Sequence, residues 1–98
     1  MKKVCYQTEE ESFWAGQFGA DYIERNPLHK NLPVNLALFS KVLQKTPNIS
    51  SALELGANIG NNLSALHCLN PSLQLTGLEI NETAFNALNQ LGFVSAIH

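Results

Sequence analysis

The most informative segment of the chain is Leu53-Glu54-Leu55-Gly56-Ala57-Asn58-Ile59-Gly60-Asn61. It begins inside a short apolar run, 51–55, that ends at a glycine, which is typical of a buried strand followed by a turn. Helical spacing of apolar residues begins at Ile59, so the segment predicts a strand, a tight loop and a helix start. Glycines let backbone approach a ligand closely, and a helix start offers free N–H groups. We therefore expect a cradle for a nucleotide-type cofactor.

The sequence on either side continues this alternation of strands and helices. Upstream, apolar spacing predicts a helix over 34–45 that begins after Pro33 and follows a breaker-rich linker, 26–33. Its buried face is expected to hold Leu38, Phe39, Val42 and Leu43. Downstream, the pattern predicts a helix ending at Asn70-Pro71, a strand over 73–80, a helix capped by Asn81 and Gly92, and a strand over 93–97. Such an order forms βαβ units with a parallel sheet, so the predicted fold class is α/β.

The predicted sheet is small for a doubly wound domain. After Asn48 the chain has room for three strands and two crossover helices, whereas such sheets usually have more strands. The last strand ends at the chain terminus with no helix behind it. We expect a chain truncated after its third strand; the alternative is a complete three-stranded mini-domain. The open sheet edge predicts a homo-oligomer.

Composition excludes several functional classes. The net charge is −2 and no basic cluster occurs, so nucleic-acid binding is not expected. No apolar run approaches the roughly 20 residues of a membrane span, and no signal peptide is expected at the start. Cys5 and Cys68 are expected to be free thiols, with Cys68 as a packing residue, and the histidines show no metal-ligand spacing. These features predict a cytoplasmic protein.

The glycine loop fails two phosphate-binding fingerprints and fits a third pattern. The dinucleotide fingerprint needs glycine where Asn58 and Asn61 stand, and the P-loop needs a following Gly-Lys-Ser/Thr that is absent. The loop does fit the acid-x-Gly-x-Gly-x-Gly pattern of Rossmann-like methyltransferases, from Glu54 to Gly60, with Asn58 replacing the middle glycine. Asparagine tolerates positive φ, so the turn is expected to survive the replacement. In this pattern Glu54 accepts a hydrogen bond near the cofactor's ammonium group.

A second acid ends the next predicted strand. Glu79 lies nineteen positions after Gly60, where such folds place an acid that accepts hydrogen bonds from ribose hydroxyls. The alternative is an exposed acid that is favoured by the start of the next helix. The pairing of Glu79 with the glycine loop at this spacing favours the ribose role.

Two sequence stretches, Glu54 to Gly60 and Gly77-Leu78-Glu79-Ile80-Asn81, resemble the class I S-adenosylmethionine-dependent methyltransferases. Together with the aromatic run from Phe13 to Asn26, they resemble the methylases associated with pseudaminic acid biosynthesis, from about Phe13 to the chain end. The resemblance implies S-adenosylmethionine as cofactor and a small-molecule acceptor, a sugar or sugar nucleotide. It implies an N-terminal extension over 1–33 that serves as a cofactor lid, and the N-terminal half of the cofactor-binding domain over 34–98. Acceptor-binding residues in this family come from loops after later strands, so the catalytic residues are unknown and the chain alone is expected to be inactive.

The resemblance also implies a set of cofactor-binding residues: Glu54, Gly56, Ala57, Asn58, Gly60, Glu79, Ile80, Trp14, Tyr22 and Arg25. Trp14, Phe18 and Tyr22 fall at helical spacing and can form one stripe, and aromatic faces suit a sulfonium cation. Glycines at 16 and 19 predict short helices or turns in this stretch rather than one long helix. Arg25 or Tyr22 is expected to hold the cofactor carboxylate; for Trp14 and Tyr22, core packing is the alternative. Residues 9–11, all glutamate, are expected to form a solvated face.

Two other hypotheses remain beside the methyltransferase. The first is an inactive truncated remnant or interaction module with a Rossmann-like fold. The second is a Rossmann domain for another nucleotide cofactor, which the failed dinucleotide fingerprint disfavours.

Overall fold

A computed structural model describes residues 6–25 and 27–98 of the protein, without the side chains at 24, 25, 28 and 29. The elements in chain order are α1 Glu9–Ala15, α2 Gln17–Arg25, α3 Leu28–Lys45, β1 Ser51–Leu55, α4 Asn61–Leu69, β2 Gln74–Leu78, α5 Glu82–Gln90 and β3 Val94–Ile97. The alternation after α3 confirms the predicted α/β class.

The described strands form one parallel sheet in the order β1-β2-β3. Glu54 pairs with Gly77, and Leu75 pairs with Val94. Because the strands are parallel, their carboxyl ends lie along one edge of the sheet, and the loops that follow β1 and β2 become neighbours.

The core lies between one sheet face and helices α4 and α5. Leu63 of α4 and Leu88 of α5 are fully buried, and each contributes about 1.5–3 kcal/mol by leaving water. Both pack over Gly77, where an added Cβ would lie 2.9 Å from Leu88 and 3.0 Å from Leu63. Gly77 therefore lets the two helices approach the sheet closely, which places the start of α4 against the ends of the strands.

The opposite sheet face is exposed. The strand register places four apolar side chains on this face: Leu53 (64% exposed), Leu55 (73%), Leu78 (39%) and Ile97 (48%). Among the described residues, no helix covers these four side chains. Self-association through this part of the molecule stays a prediction.

Helix α3 differs from its prediction at both its start and its buried face. It begins at Leu28, so Pro33 lies inside the helix and the predicted linker over 26–33 is wrong from residue 28 onward. Proline lacks the N–H that would bond one turn back, but packing of the following turns on the core sustains the helix. Of the four expected inward residues, Phe39 and Leu43 pack on the core. Leu38 and Val42 are exposed, because four such positions span more of the helix circumference than the contact covers.

Three further observations concern the expected sites and spans. Cys68 is exposed on α4, so its predicted packing role is wrong, while Cys5 lies outside the described residues. Within the described ranges, no helix combines the length and apolarity needed to cross a bilayer. In the same ranges, His, Cys, Asp and Glu side chains form no group of three suited to a metal ion.

Candidate cofactor site

A cavity of about 590 Å³ opens where the loops after β1 and β2 meet. Eight of the predicted site residues line it: Glu54, Gly56, Ala57, Asn58, Glu79, Ile80, Trp14 and Tyr22. Gly60 does not line the cavity, and the side chain of Arg25 lies outside the described part of the structure. The structure thus brings together two loops and an N-terminal segment that lie far apart in the sequence.

The glycine loop has left-handed backbone at alternate positions. The φ angles are +72° at Gly56, +55° at Asn58 and +91° at Gly60, so the prediction that asparagine preserves the turn is confirmed. Asn58 also supports the loop with its side chain, because its Oδ1 accepts the Ile59 N–H at 2.8 Å. A Cβ at Gly56 would meet nothing within 4 Å, whereas one at Gly60 would press on Leu88 and Leu91. Gly60 is therefore needed for helix packing, and Gly56 opens toward the cavity.

The N–H groups of the loop over 56–60 are all used within the protein. Gly56 and Ala57 donate to the Leu78 carbonyl at 2.8 and 2.9 Å, Asn58 to Glu79, Ile59 to Asn58, and Gly60 to the Ala57 carbonyl at 3.0 Å. The loop itself therefore offers a ligand no free N–H group, since its donors bond to Leu78, to Glu79 and within the loop. The expectation of free N–H groups concerns the start of α4, and there it stays a prediction. A phosphate has no donor here, so the loop suits a ligand that lies against its surface.

Glu79 joins the two loops. It is only 7% exposed, so the alternative of an exposed acid is wrong. Its Oε1 accepts the Asn58 N–H at 2.7 Å, and its Oε2 accepts the Asn81 N–H at 2.8 Å. Each carboxylate oxygen has a further acceptor position, so Glu79 can still accept hydrogen bonds from a ligand in the cavity it lines.

Glu54 presents an acceptor without a partner. Its Oε2 accepts a hydrogen bond from Asn62 Nδ2 at 2.5 Å, whereas its Oε1 is buried and has no hydrogen-bond partner among the described residues. Burial raises the pKa of Glu54, the hydrogen bond from Asn62 opposes that rise, and the charge of Glu79 adds to it. A cationic N–H donor would satisfy the free oxygen and offset the cost of burying its charge.

An aromatic cluster consists of Phe13, Trp14, Phe18 and Tyr22, and two of its members, Trp14 and Tyr22, line the cavity. Trp14 lies 5.2 Å from Phe18 and 5.7 Å from Tyr22, measured between ring centroids, in edge-on contacts. The three aromatic residues at helical spacing do meet in one cluster, and Gly16 separates the two short helices, α1 and α2, that carry them. Trp14 and Tyr22, which line the cavity, are 41% and 37% exposed, so the core-packing alternative does not describe them.

Sequence reasoning missed several polar residues of the cavity: Glu10, Glu11, Asn31, Asn35, Asn61 and Asn62. The two acids of α1 line the cavity, so they do not belong to a purely solvated face. Asn31 and Asn35 lie one helical turn apart, a spacing that would have indicated one face had the helix been expected to begin at Leu28. The described lining contains four glutamates and neither lysine nor arginine.

Comparison with solved structures finds proteins with a similar fold. The chain is similar to the plantazolicin methyltransferase BpumL in complex with a monoazolic desmethylPZN analog and SAH, at 19% identity and a TM-score of 0.64 over 90% of this chain and 37% of that one. BpumL with a pentazolic analog and SAH gives 25% identity and a TM-score of 0.58 over 81% and 32% of the two chains. The fold is that of a Rossmann-like methyltransferase.

The similarity covers only part of these methyltransferases. The chain spans about a third of the length of these methyltransferases. No protein-family model matches the sequence, and no curated protein matches it either.

Proposed function

We propose that this protein binds S-adenosylmethionine in the cavity and serves in methyl transfer to a small-molecule acceptor. The observation that carries the proposal is the convergence of Glu54 and Glu79 on one cavity, at the carboxyl ends of adjacent parallel strands. The similarity to BpumL, whose structures contain SAH, supports it.

The residues present fit this cofactor. The buried, unpartnered Oε1 of Glu54 suits the ammonium of the amino-acid end. The free acceptor positions of Glu79 suit the ribose hydroxyls, and Ile80 offers half-buried apolar surface for the adenine. The cavity volume of about 590 Å³ falls within the range of pockets for ligands of this size.

The charge of the cavity and its hydrogen bonds favour this cofactor over a dinucleotide. The loop N–H groups that would hold a pyrophosphate already donate to Leu78, Glu79 and other loop atoms. The four glutamates of the lining would repel phosphates but favour the sulfonium and ammonium charges. When bound, the cofactor supplies a methyl group on positively charged sulfur, ready for direct displacement. The described residues bind and orient; no base is assigned to them.

The acceptor is proposed to be a sugar or sugar nucleotide, as in pseudaminic acid biosynthesis, and its support is the resemblance of the aromatic N-terminal run. Of these two, the neutral sugar suits the acidic cavity better, because a nucleotide would bring phosphates near four carboxylates. We propose the cytoplasm as the site of action, in line with the two cysteines expected to stay reduced.

Isothermal titration calorimetry with S-adenosylhomocysteine and with NADH tests the cofactor assignment. We expect one S-adenosylhomocysteine to bind per chain and NADH to bind weakly or not at all. Tighter binding of NADH would reject the proposal. A labelled-methyl assay with neutral sugars and sugar nucleotides then tests the acceptor.

A further inference from the structure

Asn81 makes more contacts than a helix cap requires. It is 4% exposed, its Oδ1 accepts the Ala84 N–H at 3.1 Å, and its own N–H donates to Glu79 at 2.8 Å. The hydrogen bond from the Ala84 N–H is the one that an N-cap side chain normally accepts. Its Nδ2, however, donates to the carbonyls of Trp14 at 3.0 Å and Ala15 at 3.3 Å, on a helix more than sixty positions away in the chain.

These two carbonyls belong to the last residues of α1, where a helix leaves its carbonyl groups without intrahelical partners. Gly19 of α2 packs against the Trp14 carbonyl and Asn81. A Cβ at position 19 would overlap the Trp14 carbonyl oxygen and lie 2.8 Å from Asn81 Nδ2. The absence of a side chain at Gly19 is therefore what admits the contact between Asn81 and α1.

A continuous set of hydrogen bonds results, from the Trp14 carbonyl through Asn81 and Glu79 to the Asn58 N–H of the glycine loop. It ties the backbone of Trp14, whose side chain lines the cavity, to both loops. We infer that Asn81, with Gly19, is a positioning residue that fixes the aromatic cluster over the bound ligand. This inference rests on the proposed function, because it assigns Asn81 a role in binding the cofactor.

The substitution Asn81→Ser separates this role from capping. Serine is as good an N-cap as asparagine and keeps the backbone N–H to Glu79, but its hydroxyl is too short to reach α1. Asn86→Ser is the matched control, because Asn86 is exposed on the same helix. Gly19→Ala is a second variant that disturbs the same contact from the opposite side while Asn81 stays intact.

Trp14 is the single tryptophan of the chain, so its fluorescence reports directly on the aromatic cluster. We expect acrylamide quenching of the ligand-free protein to rise in Asn81→Ser and Gly19→Ala. The rise should be modest, because the Trp14 side chain is already 41% exposed. The Kd for S-adenosylhomocysteine should rise about 3- to 10-fold, the effect of losing a positioning hydrogen bond. Asn86→Ser should match the wild type in both.

Three outcomes would overturn the inference. Quenching that equals the control in both variants would show that Asn81 does not hold α1. Increased quenching with an unchanged Kd would show a contact without a role in binding. If the wild-type protein does not bind S-adenosylhomocysteine, the proposed function fails and the positioning role with it, whereas the quenching result still reports on the contact itself.

Discussion

Replacing Glu54 with glutamine should stabilise the protein at neutral pH and weaken cofactor binding at the same time. Burial raises the pKa of Glu54 above its ordinary value of 4.5, so the ionised carboxylate is disfavoured in the folded state. Glutamine removes that charge, and its oxygen can still accept the hydrogen bond from Asn62. The same change removes the negative charge that faces the cofactor ammonium.

The size of the binding loss follows from one interaction. Oε1 of Glu54 has no partner among the described residues, so a bound ammonium would add one charge-assisted hydrogen bond there. Such a bond contributes about 1.5–3 kcal/mol, which corresponds to a rise in Kd of about 10- to 140-fold. Calorimetry with S-adenosylhomocysteine measures this change directly.

The stability effect has a defined pH dependence. An acid whose pKa is raised on folding adds stability below its unfolded pKa, here 4.5, and loses that contribution as the pH rises through the folded pKa. The melting temperature of Glu54→Gln minus that of the wild type should therefore increase as the pH rises above 4.5. Melting curves from pH 4 to pH 8 measure the difference.

Glu82→Gln is the matched control. Glu82 is exposed in the first turn of α5 and does not line the cavity, so this variant should leave Kd unchanged and lose a little stability at the helix terminus. An unchanged Kd in folded Glu54→Gln would refute the ammonium assignment. A stability difference from the wild type that stays constant between pH 4 and pH 8 would refute the argument from burial.

The remaining predictions concern the loop, the acid that joins the loops and the exposed sheet face. Gly60→Ala should destabilise more than Gly56→Ala in urea unfolding, because both strain a positive φ but only the Cβ at 60 overlaps Leu88. Glu79→Ala should lower stability because the N–H groups of Asn58 and Asn81 lose their acceptor, and it should lower affinity because the ribose hydroxyls lose theirs. An unchanged melting temperature would contradict the first expectation. Leu55→Lys should reduce any self-association seen by size-exclusion chromatography with light scattering, because Leu55 is 73% exposed on the apolar face, and persistent association would locate the interface elsewhere.

The glycine loop and its acids could be predicted because their signals are local. Positive φ restricts the choice of residue, so Gly56, Asn58 and Gly60 reveal the turn directly. Glu79 lies at the end of a strand at a fixed distance along a βαβ unit, so its place follows from topology.

The rest of the site depends on contacts between residues that lie far apart in the sequence, which no local sequence pattern indicates. Pro33 predicts a helix start, whereas the helix begins at Leu28 and brings Asn31 and Asn35 to the cavity. The N–H groups of Gly56 and Ala57 both donate to Leu78, a partner on another strand that no local pattern indicates.

One carboxylate holding two loops has a consequence for their motion. The N–H groups of Asn58 and Asn81 are twenty-three positions apart in the sequence, yet both are protected by Glu79. Because Glu79 belongs to the loop that carries Asn81, its contact with Asn58 joins the two loops, and we expect them to open as one cooperative unit. Their amide protons would then exchange with solvent at the same rate, and the two walls of the cavity would open together.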